Sequence, residues 1–236
     1  MSTKPEAVDK QVPSSSEGTW GSDLMAEMLR DLGFPYVALN PGSSFRGLHD
    51  SLVNRLGNAD PSMLLCLHEE HAVAIAHGWA KVTGEPMAVI LHANVGLMHG
   101  SMAIYNAWCD RVPIVILGAT GPVDARKRRP WIDWIHTSRD QAAMIRPYVK
   151  WDDQPASLEA SLASIVRANV ISRTAPQAPT YVCFDVAVQE QRVTNNPWRP
   201  DPLLHEAPEP PTPSESQCAT LETLLSEAKQ PVFMMG

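Results

Sequence analysis

Short runs of apolar residues alternate with longer amphipathic segments along most of this chain. The runs cover residues 36–39, 63–67, 87–91, 114–117 and 180–184. A strand that is apolar at every position has to be buried on both faces, which is typical of parallel sheets lying between two layers of helices. The alternation therefore predicts an α/β fold with a mainly parallel sheet and helices on both faces.

Helix signals mark the segments between these runs. Ser22 is expected to cap a helix that runs to about Leu32 and ends at Gly33. A second helix is expected from the turn at residues 40–43 to about residue 56. Further helices are predicted over residues 69–82, 97–110, 138–146 and 158–172, with a long loop rich in Arg, Lys and Trp over residues 121–137.

Composition divides the chain into four parts. Residues 1–17 are polar and contain no apolar stretch of signal-peptide length, so we expect a disordered tail. Residues 18–188 hold the alternating elements of one α/β domain, and the proline-rich residues 189–213 are predicted to be a linker. Residues 214–236 predict a helix followed by a strand at 231–235. Because these two elements are too small to form a core, we expect the start of a truncated central domain, or of a domain that is completed by something else.

Charge, hydropathy and cysteine usage limit the partners and the compartment. The net charge of -7 gives no reason to expect nucleic acid as a partner. No run approaches eighteen apolar residues, so no membrane span and no membrane partner are expected. Three of the four cysteines lie in apolar stretches and are predicted to be buried thiols, which suits a cytoplasmic protein.

Three polar turns directly follow predicted strands, at residues 40–44, 68–70 and 92–96. Ligands of open α/β sheets bind at the carboxyl ends of the strands. If the three strands are neighbours, these turns therefore converge on one site. The alternative is that each turn is an ordinary connection between a strand and a helix, in which Ser43 and Glu69 only begin helices.

The order of several motifs resembles that of one enzyme family. His68-Glu69, the stretch Gly78–Gly84 and the stretch Asn106–Ile114 are similar to segments of thiamine-diphosphate-dependent enzymes. The turn Asn40–Ser43 and the pair Leu91-His92 resemble positions of benzoylformate decarboxylase. The resemblance covers about residues 18 to 187, the N-terminal pyrimidine-binding domain, and it includes acetolactate synthases.

The resemblance implies roles for individual residues. In the family, the glutamate that matches Glu69 hydrogen-bonds N1′ of the cofactor's aminopyrimidine ring, and burial is expected to raise its pKa. Ser43 and His92 match positions that contact the substrate carboxylate and transfer protons. The residues expected to line the pyrimidine site are Pro41, Gly42, Asn94, Gly96 and His99. His99 and the pair Asn94-Val95 are departures from the residues that many relatives have there.

Some residues near these motifs keep simpler interpretations. Glu70 is expected to be a surface or interface charge, because adjacent helical residues do not share a face. A histidine at a strand end, such as His92, often only bonds a backbone carbonyl. His68 and His71 do not have the spacing of a zinc motif, so no metal ligand is predicted. The basic run 126–129 is expected to be a solvated or interface loop, with phosphate or substrate contact as the alternative.

The resemblance also implies what this sequence does not supply. Family members hold the cofactor's diphosphate and Mg²⁺ on another domain with a Gly-Asp-Gly motif, and this sequence contains none. We therefore expect only the pyrimidine half of a thiamine diphosphate site, completed across a homodimer or homotetramer. The predicted function is that of a 2-oxo acid decarboxylase or carboligase, with the isolated chain inactive. One subunit of a split enzyme, or a non-catalytic binding or assembly protein with the same fold, remains an alternative.

Overall fold

The computed structural model describes residues 19–234. The strands are β1 (Thr19–Trp20), β2 (Tyr36–Leu39), β3 (Ser62–Leu65), β4 (Met87–Leu91), β5 (Ile114–Thr120), β6 (Trp151–Asp153), β7 (Thr180–Asp185) and β8 (Arg192–Val193). The α-helices are α1 (Gly21–Asp31), α2 (Arg46–Asp50), α3 (Glu69–Thr83), α4 (Ala93–Cys109), α5 (Leu158–Arg173), α6 (Val186–Gln189) and α7 (Glu215–Glu227). Short 3₁₀ turns lie at Ser43–Phe45, Ala125–Lys127, Ala142–Met144, Arg146–Tyr148 and Pro202–Leu204, and the π-helical segment Ser51–Arg55 extends α2.

Six strands form one sheet in the order β3-β2-β4-β5-β7-β6. Every neighbouring pair in this sheet is parallel, which confirms the predicted parallel sheet. Strands β1 and β8 pair separately as a two-stranded antiparallel ribbon. Strand β6 follows the predicted loop region and was not predicted from the sequence, because its three residues are only partly buried.

The core consists of two apolar clusters, one on each face of the sheet. Helices α1, α2 and α5 contribute to one cluster, and α3 and α4 contribute to the other. Strand β4 supplies both, since Ala88 and Ile90 belong to the first cluster while its other residues belong to the second. This double burial is the reason why the strands are continuously apolar, and it confirms helices on both faces.

Helix α1 begins one residue before the predicted cap. Trp20 is the residue that precedes the helix, and its backbone N–H donates to the Asp23 carboxylate at 2.7 Å. Ser22 lies inside the helix, where it is buried and accepts a hydrogen bond from the Ser51 hydroxyl at 2.9 Å. The prediction that Ser22 caps α1 is therefore wrong, because the ribbon of β1 with β8 fixes the chain just before Gly21. Gly33, with φ of +77°, follows the helix end as predicted.

Helix α4 begins at Ala93, four residues before the predicted start. Ala93 adopts φ of +37°, and its backbone N–H donates to the Ser44 hydroxyl at 3.1 Å. The chain therefore passes from β4 into the helix without a loop. Residues 94–96 belong to the first helical turn rather than to a polar loop. The apolar periodicity begins only at Leu97, which explains the late predicted start.

The segment after the α/β domain is partly held against it. Val193 pairs with Thr19 in the β1–β8 ribbon, and Arg199 forms ion pairs with Glu27 and Asp31, each at 2.7 Å. Helix α7, by contrast, has no buried residue. Residues 231–234 are not in a strand, contrary to the prediction, and residue 235 lies outside the described residues, as does the predicted tail at 1–17.

Within residues 19–234, no helix is both long and apolar enough to cross a membrane. Of the cysteines that were predicted to be buried, Cys66 and Cys183 are buried, whereas Cys109 is exposed. Cys109 is the last residue of α4, where the helix side that carries it faces away from the sheet. The prediction of burial is therefore wrong for this one thiol.

Candidate functional site

The sheet topology brings the three polar turns together. Strand β2 lies between β3 and β4, so the turns that follow these strands are neighbours at one edge of the sheet. The connection after β2 leads outward to β3, while the connection after β4 leads to β5 in the opposite direction. Such a point, where the connections diverge, is where open α/β sheets bind ligands. The predicted convergence of the turns is confirmed.

Glu69 is the buried acidic residue of this site. It is the first residue of α3, and only 5% of it is exposed. The Asn40 side-chain amide donates to its Oε1 at 3.1 Å, and His99 Nδ1 lies 3.3 Å from its Oε2. A helix N-terminus favours a negative charge, so the fold supplies a fixed carboxylate at the switch point. The neighbouring Glu70 is exposed, as predicted.

The surroundings of Glu69 favour its ionised form. Burial by itself raises the pKa of the carboxyl group, but hydrogen bonds from its own backbone N–H, from Asn40 and from His99 outweigh burial. The pKa of Glu69 therefore lies below its ordinary value. The expectation of a raised pKa was wrong, because it counted desolvation and left out the donors around the carboxylate.

His92 is held by Ser44 rather than by a backbone carbonyl. Its Nδ1 lies 2.8 Å from the Ser44 hydroxyl oxygen and accepts the Ser44 backbone N–H at 3.4 Å. The same hydroxyl oxygen already accepts the Ala93 N–H, so its own hydrogen is directed to His92. Because Nδ1 is an acceptor, the neutral imidazole carries its proton on Nε2.

A second histidine ring lies against His92. The ring centroids of His92 and His136 are 4.6 Å apart, with an angle of 54° between the rings. Burial lowers the pKa of His92, and the electrostatic interaction with His136 lowers it further, while the charge of Glu69 opposes both effects. His92 is consequently a neutral hydrogen-bond donor near pH 7.

Glycines make close contacts with both titratable side chains. A methyl group at Gly42 would overlap the His92 ring, and one at Gly96 would lie 3.2 Å from Glu69 Oε1. Gly96 thus leaves space beside the carboxylate, whereas Gly42 makes space for the imidazole. These two contacts place both glycines directly in the site.

The other predicted site residues, Pro41, Ser43, Asn94 and His99, lie at the same edge of the sheet but make different contacts. Pro41 and Ser43 are exposed, and it is the adjacent Ser44, which is buried, that contacts His92. The Asn94 side-chain amide donates to the Ile135 carbonyl at 3.2 Å, toward the loop that follows β5. His99 lies directly beside Glu69.

Three residues of the site were not predicted as functional from the sequence: Asn40, Ser44 and His136. Asn40 and Ser44 lie inside the quoted turn 40–44, so their position was a usable signal. His136 lies in a loop without periodicity, and only the neighbouring positions of β4 and β5 reveal it.

His68, Glu69 and His99 form a cluster whose ligand atoms lie within 4.8 Å of one another. The rings of His68 and His99 are stacked, with centroids 5.0 Å apart and only 10° between the planes. His68 Nδ1 also accepts the Glu70 N–H at 3.1 Å. His68 thus caps the start of α3 beside the Glu69 carboxylate.

The arginines of the basic run at residues 126–129 bind mostly to groups of their own loop. Arg128 donates to the carbonyl groups of Pro122 and Val123, at 2.6 and 3.1 Å. Arg129 donates to the Asp133 carboxylate, which is buried, and these hydrogen bonds lower the pKa of Asp133. These guanidinium groups therefore hold the loop in shape.

Comparison with known proteins places these features in a family. Residues 19–144 match the family described as thiamine pyrophosphate enzyme, N-terminal TPP binding domain. The acetolactate synthase large subunit of Lactococcus lactis is 26% identical over 92% of this chain and 36% of that protein. Benzoylformate decarboxylase of Pseudomonas aeruginosa is 27% identical over 89% of this chain and 38% of that protein.

Solved structures share the fold. The thiamine diphosphate-dependent 4-hydroxybenzoylformate decarboxylase of Rhodococcus jostii RHA1 superposes with a TM-score of 0.74, at 24% identity. The match covers 91% of this chain and 38% of that one. This chain thus spans less than two-fifths of the length of the relatives named here.

The fold and the site together define an α/β cofactor-binding domain with a buried carboxylate at the switch point of its sheet. The chain belongs to the thiamine pyrophosphate enzyme family, and it covers the N-terminal, pyrimidine-binding domain of that family.

Proposed function

We propose that this chain is the pyrimidine-binding half of a thiamine diphosphate-dependent decarboxylase or carboligase that acts on a 2-oxo acid. The observation that carries the proposal is the buried carboxylate of Glu69, fixed by Asn40 and His99 at the switch point of the sheet. The relatives named acetolactate synthase and benzoylformate decarboxylase support the same class of reaction.

The residues around Glu69 fit an aminopyrimidine ring. The carboxylate accepts hydrogen bonds from Asn40, from His99 and from its own backbone N–H, and because its two oxygens offer about four acceptor sites, one remains for N1′ of the ring. Gly96 keeps the space beside Oε1 free of a side chain. When bound, the cofactor supplies a carbon nucleophile that also accepts the electron pair released on decarboxylation. Glu69 contributes a charge-assisted hydrogen bond that orients and polarises the ring.

The substrate edge of the site is proposed to lie at Ser43, Ser44 and His92. The exposed Ser43 hydroxyl is available to a ligand, because no side-chain hydrogen bond of Ser43 occurs within residues 19–234. The Nε2–H of a neutral His92 is suited to donate to a carboxylate or carbonyl oxygen of a 2-oxo acid. Ser44 keeps this donor in its tautomer and orientation.

The other half of the site is proposed to come from a diphosphate- and Mg²⁺-binding domain in a homodimer or homotetramer. The outer faces of α3 and α4 support an oligomer, because they expose large apolar side chains. These are Ile75 and Val82 on α3, and Met98, Met102 and Tyr105 on α4. On α4 they recur at a spacing of four and three residues, so they form one continuous stripe. An exposed apolar stripe of this kind is typical of a protein interface.

Two neighbouring carboxylates allow a matched test. Glu69→Gln should lower exchange of the cofactor's C2 proton for deuterium, followed by NMR, roughly 100-fold in a form that includes a diphosphate-binding domain. Glu70→Gln, an exposed control one residue away, should stay within about twofold of the parent. Equal exchange rates in all three proteins would exclude the role of Glu69. Failure of the parent to turn over pyruvate or benzoylformate would favour a non-catalytic binding protein.

A further inference from the structure

We propose that His68, Glu69 and His99 form a binding site for a divalent transition-metal ion, with Zn²⁺ as the best-suited ion, and that this ion and the thiamine cofactor exclude each other. The observation behind the site is that each of the three side chains offers a ligand atom within 4.8 Å of the other two. The metal site stands on this geometry, whereas the exclusion of the cofactor also rests on the proposed function.

Two helices supply the three side chains. His68 precedes α3 and Glu69 begins it, while His99 lies in the second turn of α4. The spacing of the histidines within residues 68–71 predicts no metal ligand, because the second imidazole comes from a position 30 residues after Glu69. The cluster therefore exists only in the tertiary structure.

The distances between the ligand atoms fit a tetrahedral ion. His99 Nδ1 lies 3.3 Å from Glu69 Oε2. Two ligands bound at about 2.1 Å and at the tetrahedral angle are about 3.4 Å apart, so an ion fits between these two atoms where they are. The His68 nitrogen then has to approach by about 1.4 Å at most, which a half-buried ring achieves by rotation. Two imidazoles and one carboxylate leave the fourth position of the ion to water.

The surroundings of Glu69 suit it as a metal ligand. The residue is only 5% exposed, and the hydrogen bonds around it keep the carboxylate ionised. The Asn40 amide donates to Oε1 at 3.1 Å, which fixes the group and leaves Oε2 for the ion. A set of two imidazoles and one carboxylate favours zinc and similar ions, whereas Mg²⁺ prefers oxygen ligands only.

His68 exchanges one hydrogen bond for the ion. Its Nδ1 accepts the Glu70 N–H at 3.1 Å, and a neutral imidazole has a single lone pair, so coordination replaces this bond. Glu70 is exposed, so its N–H then donates to water. The His99 side chain is 61% exposed, so the ion has a path from the solvent to the cluster.

The ion and the aminopyrimidine ring compete for one carboxylate. The bond from Glu69 to N1′ of the ring is strong because the carboxylate is charged. A dication on Oε2 neutralises that charge. The metal-bound protein is therefore a form that does not take up the cofactor.

Metal binding to the 236-residue chain tests the site. Calorimetric titration with Zn²⁺, and the visible absorption of bound Co²⁺, should show one saturable site. His68→Asn and His99→Asn should each weaken binding at least about tenfold, because each removes one ligand. His71→Asn is the matched control, since His71 is exposed and its ring lies 5.8 Å from that of His68 but outside the cluster. No saturable binding, or an equal loss in His71→Asn, overturns the proposal. Thermal unfolding of the metal-free variants checks that they are folded.

Cofactor binding in a form that includes a diphosphate-binding domain tests the exclusion. At saturating Mg²⁺, Zn²⁺ at about ten times its Kd should raise the apparent Kd of thiamine diphosphate roughly tenfold in the parent and in His71→Asn, but not in His99→Asn. An unchanged Kd in the parent overturns the exclusion. If the zinc-free parent does not bind the cofactor, the proposed function is overturned instead, and calorimetry on the chain alone still decides the metal site.

Discussion

Replacement of Ser44 by alanine distinguishes the role of Ser44 from that of the adjacent Ser43, which the sequence alone does not do. The Ser44 hydroxyl donates to His92 Nδ1 and accepts the N–H of Ala93, which is fully buried. Ser44→Ala removes both interactions at once. Ser43→Ala is the matched control, because Ser43 is exposed and makes no side-chain hydrogen bond among the described residues.

The expected cost follows from the two lost bonds. A buried N–H without an acceptor costs roughly 1–3 kcal/mol, and the lost bond to His92 adds about 1 kcal/mol. Ser44→Ala should therefore lower the free energy of unfolding by about 3 kcal/mol, whereas Ser43→Ala should change it by less than about 0.5 kcal/mol. The pKa of His92 should also rise in Ser44→Ala, because a donor that favours the neutral ring has been removed.

Urea denaturation of the three proteins measures the first effect, and NMR titration of the His92 ring measures the second. Both expected effects require that Ser44, and not Ser43, sets the tautomer of His92. If the two variants have the same stability and the same His92 titration, the assignment of Ser44 is refuted. If Ser43→Ala alone moves the titration, Ser43 rather than Ser44 is the serine that acts on His92.

Three further predictions concern the stability of the domain. Gly118→Ala places a methyl group against the buried Tyr181 hydroxyl and within 2.6 Å of its ring, so it should destabilise the chain by about 1–3 kcal/mol in urea denaturation, with partial recovery when Tyr181→Phe is added. Burial raises the pKa of Cys183 to about 12 from an ordinary value of 9.0. The unfolded chain then ionises this thiol first, stability falls as pH rises from 9 toward 12, and Cys183→Ala should show a flatter fall in denaturation curves over that range. Deletion of residues 206–236 should leave the thermal midpoint unchanged, since α7 buries no residue; a drop of several degrees would show that this segment packs on the domain.

The sequence alone determined the layered fold and the position of its main carboxylate. Strands buried on both faces must be apolar at every position, and helices that cover them must carry an apolar side, so both signals are local and readable. Gly84, with φ of +76°, ends α3, and this signal is local as well, since a left-handed residue at a helix end favours glycine. The order of the motifs located Glu69 at a strand-to-helix junction, and the fold places it there.

Only the tertiary structure decided how the groups of the site act on one another. The lowered pKa of Glu69 depends on its own backbone N–H and also on donors from Asn40 and His99, which are 29 and 30 residues away along the chain. The choice of Ser44 over Ser43 depends on which hydroxyl the 3₁₀ turn directs toward a histidine 48 residues later. His136 meets His92 only because β5 lies beside β4. Periodicity in the sequence indicates which face of a helix or strand is buried. The contacts between these distant side chains depend instead on the order of the strands and on the anchoring of the loops, and no local sequence pattern determines either.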